Sequence, residues 1–413
     1  MTLEQSEFII GKDDLILVTG ATGFIGRQVV QRLLDRGFNR IRCFARPSAK
    51  AAEFVASHHQ TNGSRLEIFQ GNLLSADDCK GATKDAAVII HLAAGRGEKS
   101  FPDAFINSVV TTRNLLDAGL RSGSLRRFVN VSSFAVYTNT DKQHGNLLDE
   151  TCGLEQHPEV RGEAYCFAKT KQDELVNEYG KLHGLPYVHI RPGVVYGAGN
   201  LAISGRVGIR TFGPFLHLGG SNQIPLTYVD NCADAIALAG LRKGIDGEAF
   251  NVVDDDLPSS RQFLHLYKRE VKKFRSLYVP KLVSYVLCNL WERYSVWSEG
   301  QLPPAFNRSR WNSLWKKTYY SNNKLKTKLG WQPIISTREG LNRYFEACRA
   351  GEANALSGHC GLRQNCRCPR CTDQADCRVR DRCGLRSGTA DGPPTQRALP
   401  DQGTVFRCCH NAS

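Results

Sequence analysis

The feature that most constrains this chain is a short apolar run, Asp-Leu-Ile-Leu-Val-Thr over residues 14–19, that empties into the glycine turn Gly-Ala-Thr-Gly-Phe-Ile-Gly at residues 20–26. The run is strand length and apolar on both faces, which reads as a buried parallel strand. Beyond the turn, Ile25, Val29, Val30, Leu33 and Leu34 fall on one helical stripe, and Gly37 stands where a C-cap belongs. Strand, glycine turn and helix in this order form a receptor for a pyrophosphate. The glycines permit the tight turn and close backbone approach, and the helix N-terminus offers oriented N–H donors and partial positive charge. Glycines kept only for helix–strand packing are the alternative; position directly after the first strand favours the dinucleotide reading. Gly20, Thr22, Gly23, Phe24, Ile25 and Gly26 are therefore the first candidate cofactor contacts.

Further strands are expected over residues 40–45, 66–69, 87–92, 128–132 and 186–191, with helical stretches between them. That alternation predicts an α/β fold, a Rossmann-type doubly wound parallel sheet covered on both faces. Past residue 200 it loosens. Residues 204–223 are glycine-rich, and short strands are expected at 226–229 and 248–253. The predicted organisation is a nucleotide-binding domain over 1–200, to which some later segments return, a smaller substrate lobe over 201–357, and a tail over 358–413.

The residue after the second strand selects between the nicotinamide cofactors. An acidic side chain there would accept from a ribose 2′-hydroxyl. This chain has Arg46, suited to a 2′-phosphate, so NADP is favoured over NAD, with a solvated surface arginine as the alternative. Tyr165 and Lys169 stand four apart on an expected helix, one turn apart on one face. A cation beside a phenol lowers its pKa from roughly 10 and suits it to acid/base work. Ser132 and Ser133 end the fifth strand, at the sheet edge where such folds bind ligands.

Taken together, these motifs resemble the extended short-chain dehydrogenase/reductases of the NAD-dependent epimerase/dehydratase group. The resemblance is carried by the 20–26 turn, His-Leu-Ala-Ala at 91–94, Asn107 and the stretch after it, Ser132-Ser133, Tyr165 with Lys169, Arg-Pro-Gly-Val-Val-Tyr-Gly at 191–197, Tyr-Val-Asp-Asn at 228–231, and Lys-Leu-Gly-Trp-Gln-Pro at 328–333. It implies Tyr165 as the acid/base, Lys169 as holder of the nicotinamide ribose, and Ser133 as the substrate-orienting hydroxyl ahead of Ser132. Asn107 is implied as a supporting fourth member, or else a structural helix cap. Asn72, Leu73, Ala93, Ala94, Pro192 and Val195 are implied cofactor contacts, Asn72 standing where the family usually has an acid. Dehydratases of this group carry an Asp-Glu pair where this chain has Phe134 and Ala135, which argues against dehydration. The approach to the 228–231 motif, residues 222–229, is apolar where epimerases of this group place an arginine for a diphosphate. The resemblance thus narrows toward the 3β-hydroxysteroid dehydrogenase and dihydroflavonol reductase branch, implying hydride transfer at a secondary alcohol or ketone of a rather apolar, steroid- or flavonoid-like substrate. The alternatives are a nucleotide-sugar epimerase with tightly bound NAD and a non-catalytic dinucleotide-sensing regulator.

The net charge of +14 is local: residues 268–330 hold 14 basic and 3 acidic side chains. With Trp291, Tyr294, Trp297, Trp311 and Trp315 interleaved, this segment reads as a solvated face or a peripheral membrane contact, and no nucleic-acid partner is expected. A homodimer is compatible with the sequence. The polar, acidic start and the lack of a long apolar run favour the cytoplasm. Eight of the 15 cysteines fall in the last 54 residues. Cys366, Cys368 and Cys371 have thiol spacings that zinc or an iron–sulfur cluster would accept. No apolar periodicity surrounds them, so the tail is expected to be a disordered appendage or an out-of-frame extension of the coding sequence, and no metal is predicted.

Overall fold

The computed structural model describes residues 7–48, 51, 53–54, 65–95, 100–138, 146–210, 213–298 and 307–364. They divide into a unit ending at Asn354, where everything below lies, and one beginning at Ala355, of which only the last turns of the final helix are described. The Cys366, Cys368 and Cys371 cluster lies outside the described residues.

Alternation builds the first half: β1 (Leu15–Thr19), α1 (Phe24–Asp35), β2 (Arg40–Ala45), β3 (Arg65–Gln70), α2 (Ala76–Thr83), β4 (Ala86–His91), α3 (Phe101–Phe105), a π-helical turn (Ile106–Val110), α4 (Thr111–Ser122) and β5 (Arg127–Val131). The two-residue β6 (Leu147–Leu148) precedes α5 (Ala164–His183) and β7 (Tyr187–Pro192). Then come β8 (Val194–Tyr196), β9 (Gly208–Arg210), β10 (Phe215–His217), β11 (Leu226–Tyr228), α6 (Val229–Leu241) and β12 (Ala249–Val252). The remainder is α7 (Ser260–Glu270), β13 (Ser276–Tyr278), α8 (Lys281–Trp297), α9 (Arg308–Trp315), β14 (Tyr319–Tyr320), α10 (Asn323–Leu329) and α11 (Thr337–Gln364).

Seven parallel strands form the main sheet in the order β12-β7-β5-β4-β1-β2-β3. The period-2 pleat sends Ile16 and Val18 of β1 to one face and Leu15 and Leu17 to the other. The first face is closed by α1, α6 and Leu325, Leu329 and Trp331; the second by α2, α4 and α5. Burial on both faces is why β1 and β4 are near-continuous apolar runs, while β2, β5 and β7 carry Arg42, Arg127, Asn130, His189 and Arg191 as buried polar positions. The strand expected over 248–253 is here the seventh strand of the main sheet, paired through Phe250 with Ile190 of β7, and α6 is the crossover helix that returns the chain to it.

The remaining segments gather beyond the carboxyl ends of the strands. Tyr196, Phe215, Phe263, Tyr267, Tyr344 and Phe345 form an aromatic core there. A small sheet, β13-β10-β9, lies in this region. A further cluster joins Cys288 of α8 to Trp311 and Trp315 of α9.

Candidate active site

Gly20 adopts φ +69°, the left-handed region, and a Cβ there would stand 3.0 Å from the Ala93 nitrogen. At Gly26 a Cβ would reach 2.1 Å from the Gly20 oxygen, so α1 crosses β1 closely only because this position has no side chain. Gly23 is the N-cap of α1; it offers no side chain to the first-turn N–H groups, and that turn has no acidic residue. Those donors face open space, as a phosphate receptor requires.

Two adjoining cavities run along the turn. One, of about 560 Å³, is lined by Gly20, Thr22, Gly23, Arg46, Asn72, Leu73, Ala93, Ala94 and Asn107. The other, of about 540 Å³, is lined by Phe24, Ile25, Gly26, Ser132, Ser133, Tyr165, Lys169, Pro192 and Val195. Gly20, Gly23, Leu92, Ala94 and Gly95 belong to both, making one trough from Arg46 to Tyr165. Every residue named from the sequence as a cofactor contact lines it. Within the second cavity the Ser132 hydroxyl is buried without a hydrogen-bond partner, a group that a bound molecule would satisfy. Glycine cradle, open helix terminus and orphaned hydroxyl all fit a nicotinamide dinucleotide.

The structure brings Ser133, Tyr165 and Lys169 to one end of this trough. Asn107 lies elsewhere: exposed in the π-helical turn at the Arg46 side, it donates from Nδ2 to the Asp103 carbonyl at 2.9 Å. Tyr165 keeps 38% of its surface exposed and is otherwise surrounded by protein. That enclosure raises the phenol above its usual pKa of 10, and the facing Ser133 hydroxyl opposes the rise. The sequence led us to expect a phenol lowered by Lys169. Instead the lysine turns away from it, donating to the Val131 carbonyl at 2.7 Å and to Gln172 Oε1 at 2.9 Å. Burial pulls the Lys169 ammonium down to about 8, against the pull of Asp173.

Beneath these residues lies a buried polar layer that pattern reading did not find. Gln172 Nε2 donates to Thr112 Oγ1 at 2.7 Å, and the His91 ring bridges Thr112 at 2.9 Å and Thr19 at 2.7 Å. The Ala93 N–H reaches Thr19 Oγ1 at 3.2 Å. Beside it the Asp173 carboxylate accepts from Asn130 Nδ2 at 2.8 Å and from Arg191 Nε and Nη2, each at 3.2 Å. Arg191 also donates to the Tyr137 hydroxyl at 3.0 Å. The available signal was spacing: Tyr165, Lys169, Gln172 and Asp173 recur at helical intervals on α5.

A third cavity, of about 470 Å³, opens from Ser133, Tyr165 and Gly193 and is lined by Phe134, Val194, Leu314, Arg161, Glu163, Arg206 and Arg310. The sequence suggested an apolar pocket, because residues 222–229 hold no arginine immediately before the 228–231 motif. Arginines from other elements supply charge instead. Glu163 pairs with Arg310 at 3.0 Å and with Arg161 at 3.4 Å. Arg206 donates to the Ser313 carbonyl at 3.0 Å and the Tyr320 hydroxyl at 3.2 Å, and no carboxylate pairs with it among the described residues.

A family model, that of the NAD dependent epimerase/dehydratase family, matches residues 16–252. The chain belongs to this family. Its relatives include the 3 beta-hydroxysteroid dehydrogenase/Delta 5→4-isomerase of Mycobacterium tuberculosis, 28% identical over 79% of this chain and 88% of that protein. The UDP-glucose 4-epimerase of Mycolicibacterium smegmatis is 26% identical over 81% and 98%. Among solved structures, UDP-glucuronic acid 4-epimerase from Bacillus cereus, in complex with UDP-glucuronic acid and NAD, superposes with a TM-score of 0.61 at 21% identity, over 81% of this chain and 99% of that one; it shares the fold. As an epimerase/dehydratase-family member, the chain is an NAD-dependent enzyme of the extended short-chain dehydrogenase/reductase type.

Proposed function

We propose that this enzyme is a dehydrogenase/reductase acting on a secondary alcohol or ketone with a largely apolar body, with Tyr165 as its acid/base. The observation that carries the reading is the meeting of cofactor trough and third cavity at Ser133 and Tyr165. A carbonyl held there lies within reach of both hydroxyls. With its pKa raised, the phenol is protonated at neutral pH, so Tyr165 donates a proton to the carbonyl oxygen in the reducing direction and recovers it in the oxidising one. Ser133 orients that oxygen. Lys169, still charged below about 8, stands ready for the nicotinamide ribose. The bound nicotinamide supplies the hydride acceptor or donor. Phe134, Val194 and Leu314 provide the apolar wall. NADP is the favoured cofactor, because Arg46 is exposed at the far end of the trough with no ion pair among the described residues.

Arg206 and Arg310 favour a second reading, a nucleotide-sugar epimerase, since guanidinium groups in the third cavity suit a diphosphate. The two readings separate on cofactor behaviour. A reductase exchanges NADP(H) freely and changes absorbance at the reduced-nicotinamide wavelength in step with turnover; an epimerase retains NAD through purification and shows no net change. Tyr165→Phe is expected to lower turnover by about a thousandfold while leaving cofactor affinity intact. Full activity in that variant would refute the assigned acid/base.

A further inference from the structure

Helix α8 is turned inside out. With 3.6 residues per turn, Leu282, Val286, Leu287, Leu290, Tyr294 and Trp297 fall within a sector of about 140°. All six are exposed, Leu282 at 74% and Trp297 at 76%. The opposite side carries Ser284, Cys288 and Ser295, and these are the buried positions. A reason for the small inward residues is visible. The indoles of α9 fill that space, with Trp311 edge-on to Tyr285 at 5.0 Å and its Nε1 donating to Ser284 Oγ at 3.0 Å. Nothing comparable explains the outward row. Just ahead of the helix, Leu277 and Tyr278 of β13 add to the exposed apolar surface. Contiguous apolar surface of this kind marks an interaction site.

Charge identifies the partner. The described acidic side chains in this region are engaged: Glu270 with Arg269 and Arg349, Glu292 with Arg308. Lys273, Arg275, Lys281 and Arg293 are exposed and have no ion pair among the described residues. Arg293 falls within the apolar sector, between Leu282 and Val286 in projection, where a long side chain can lift its charge to the surface. Lys281 opens the helix on the opposite side, 5.6 Å from the Trp311 ring, and Lys273 and Arg275 precede the helix in sequence. An apolar stripe with an aromatic end, where Tyr294 and Trp297 stack at 5.6 Å, and cations within and ahead of it complement a lipid surface with anionic headgroups. The helix cannot traverse the bilayer, because none among the described residues is long and apolar enough to do so.

We propose that α8 is a peripheral docking surface for anionic phospholipid membranes. Immersion of the Leu290 row places α9 directly behind the lipid-facing helix, and α9 contributes Arg310 and Leu314 to the cavity at Tyr165. The proposal holds whatever the substrate is.

Sedimentation with vesicles tests it. The full chain is expected to pellet with phosphatidylcholine/phosphatidylserine vesicles, more weakly with phosphatidylcholine alone, and less as salt rises. The Leu287→Glu/Leu290→Glu double variant should bind at least about tenfold more weakly, with unchanged thermal melting and unchanged binding of NADPH. Lys273→Glu/Arg275→Glu should remove the preference for phosphatidylserine. Absence of vesicle binding by the wild-type chain, or equal binding by the Leu287→Glu/Leu290→Glu chain, would overturn the proposal. So would a dimer, measured by light scattering, that the same double variant dissociates in the absence of lipid.

Discussion

Helices α6 and α8 are both rich in apolar residues, and their fates are opposite. Twelve of the thirteen residues of α6 are buried, against three of the seventeen in α8. The difference lies in side-chain size and layer position. Helix α6 has alanine at four of its thirteen positions, 233, 235, 237 and 239, with Gly240 lying 3.4 Å, at its would-be Cβ, from Ile90 and Val88. It can therefore lie flat on the sheet beside α1. Helix α8 carries its bulk on the side away from the protein. Hydrophobicity alone would not have separated them; the layer each belongs to does.

The contrast can be broken most directly at α6. Ala235→Glu would place a carboxylate where no water reaches and is expected to cost about 4 kcal/mol or more. Recovery of soluble protein and urea midpoints measure this; near-wild-type stability would mean α6 is not the filled layer described.

A second test uses the charge the interior tolerates. Lys169 has its folded pKa depressed to about 8 by burial. Between about 8 and its usual 10.5 the unfolded chain holds a proton that the fold lacks. This group's contribution to stability is therefore unfavourable below about 8 and improves as pH rises across that window. Turnover should move oppositely, falling as the ammonium is lost above about 8. Lys169→Met should abolish both trends and melt no lower than wild type, which pH-rate profiles and thermal melts at several pH values will show.

The smallest effect belongs to α8. Leu290→Ser is expected to change stability by no more than about 0.5 kcal/mol. A loss of about 2 kcal/mol would show the row to be covered in the free protein and erase the contrast.

Much of this architecture was legible because it is periodic. Apolar runs of strand length before residue 192 all became sheet strands, since a strand covered on both faces has no other way to read. The run ending at Val253 was legible as a strand, but its place was not: whether it joins β7 depends on where α6 carries the chain. The trough was legible because glycine positions report backbone geometry. The third cavity was not. Arg161, Arg206 and Arg310 come from three separate segments, and no local pattern announces that they meet beside Tyr165. Gln172 and Thr112 were hidden for a similar reason, being sixty residues apart and hydrogen-bonded across two helices.

The buried polar layer under the trough has a direction. An ammonium has only protons to give, so Gln172 must turn its oxygen to Lys169 and its amide to Thr112. Thr112 already gives its own hydroxyl proton to the Ser108 carbonyl at 2.5 Å, and so it can only receive from His91 Nε2. Burial holds His91 down to about 3, so the ring is neutral and carries its single proton on Nε2. Its bare Nδ1 then orders the Thr19 hydroxyl, whose lone pair in turn meets the Ala93 N–H. The lysine thus sets the Gln172 amide, and the Ser108 carbonyl, by taking the Thr112 proton, sets the imidazole and the Thr19 hydroxyl down to the floor of the trough. Only a Thr112 hydroxyl released from the Ser108 carbonyl would free the imidazole tautomer to reverse.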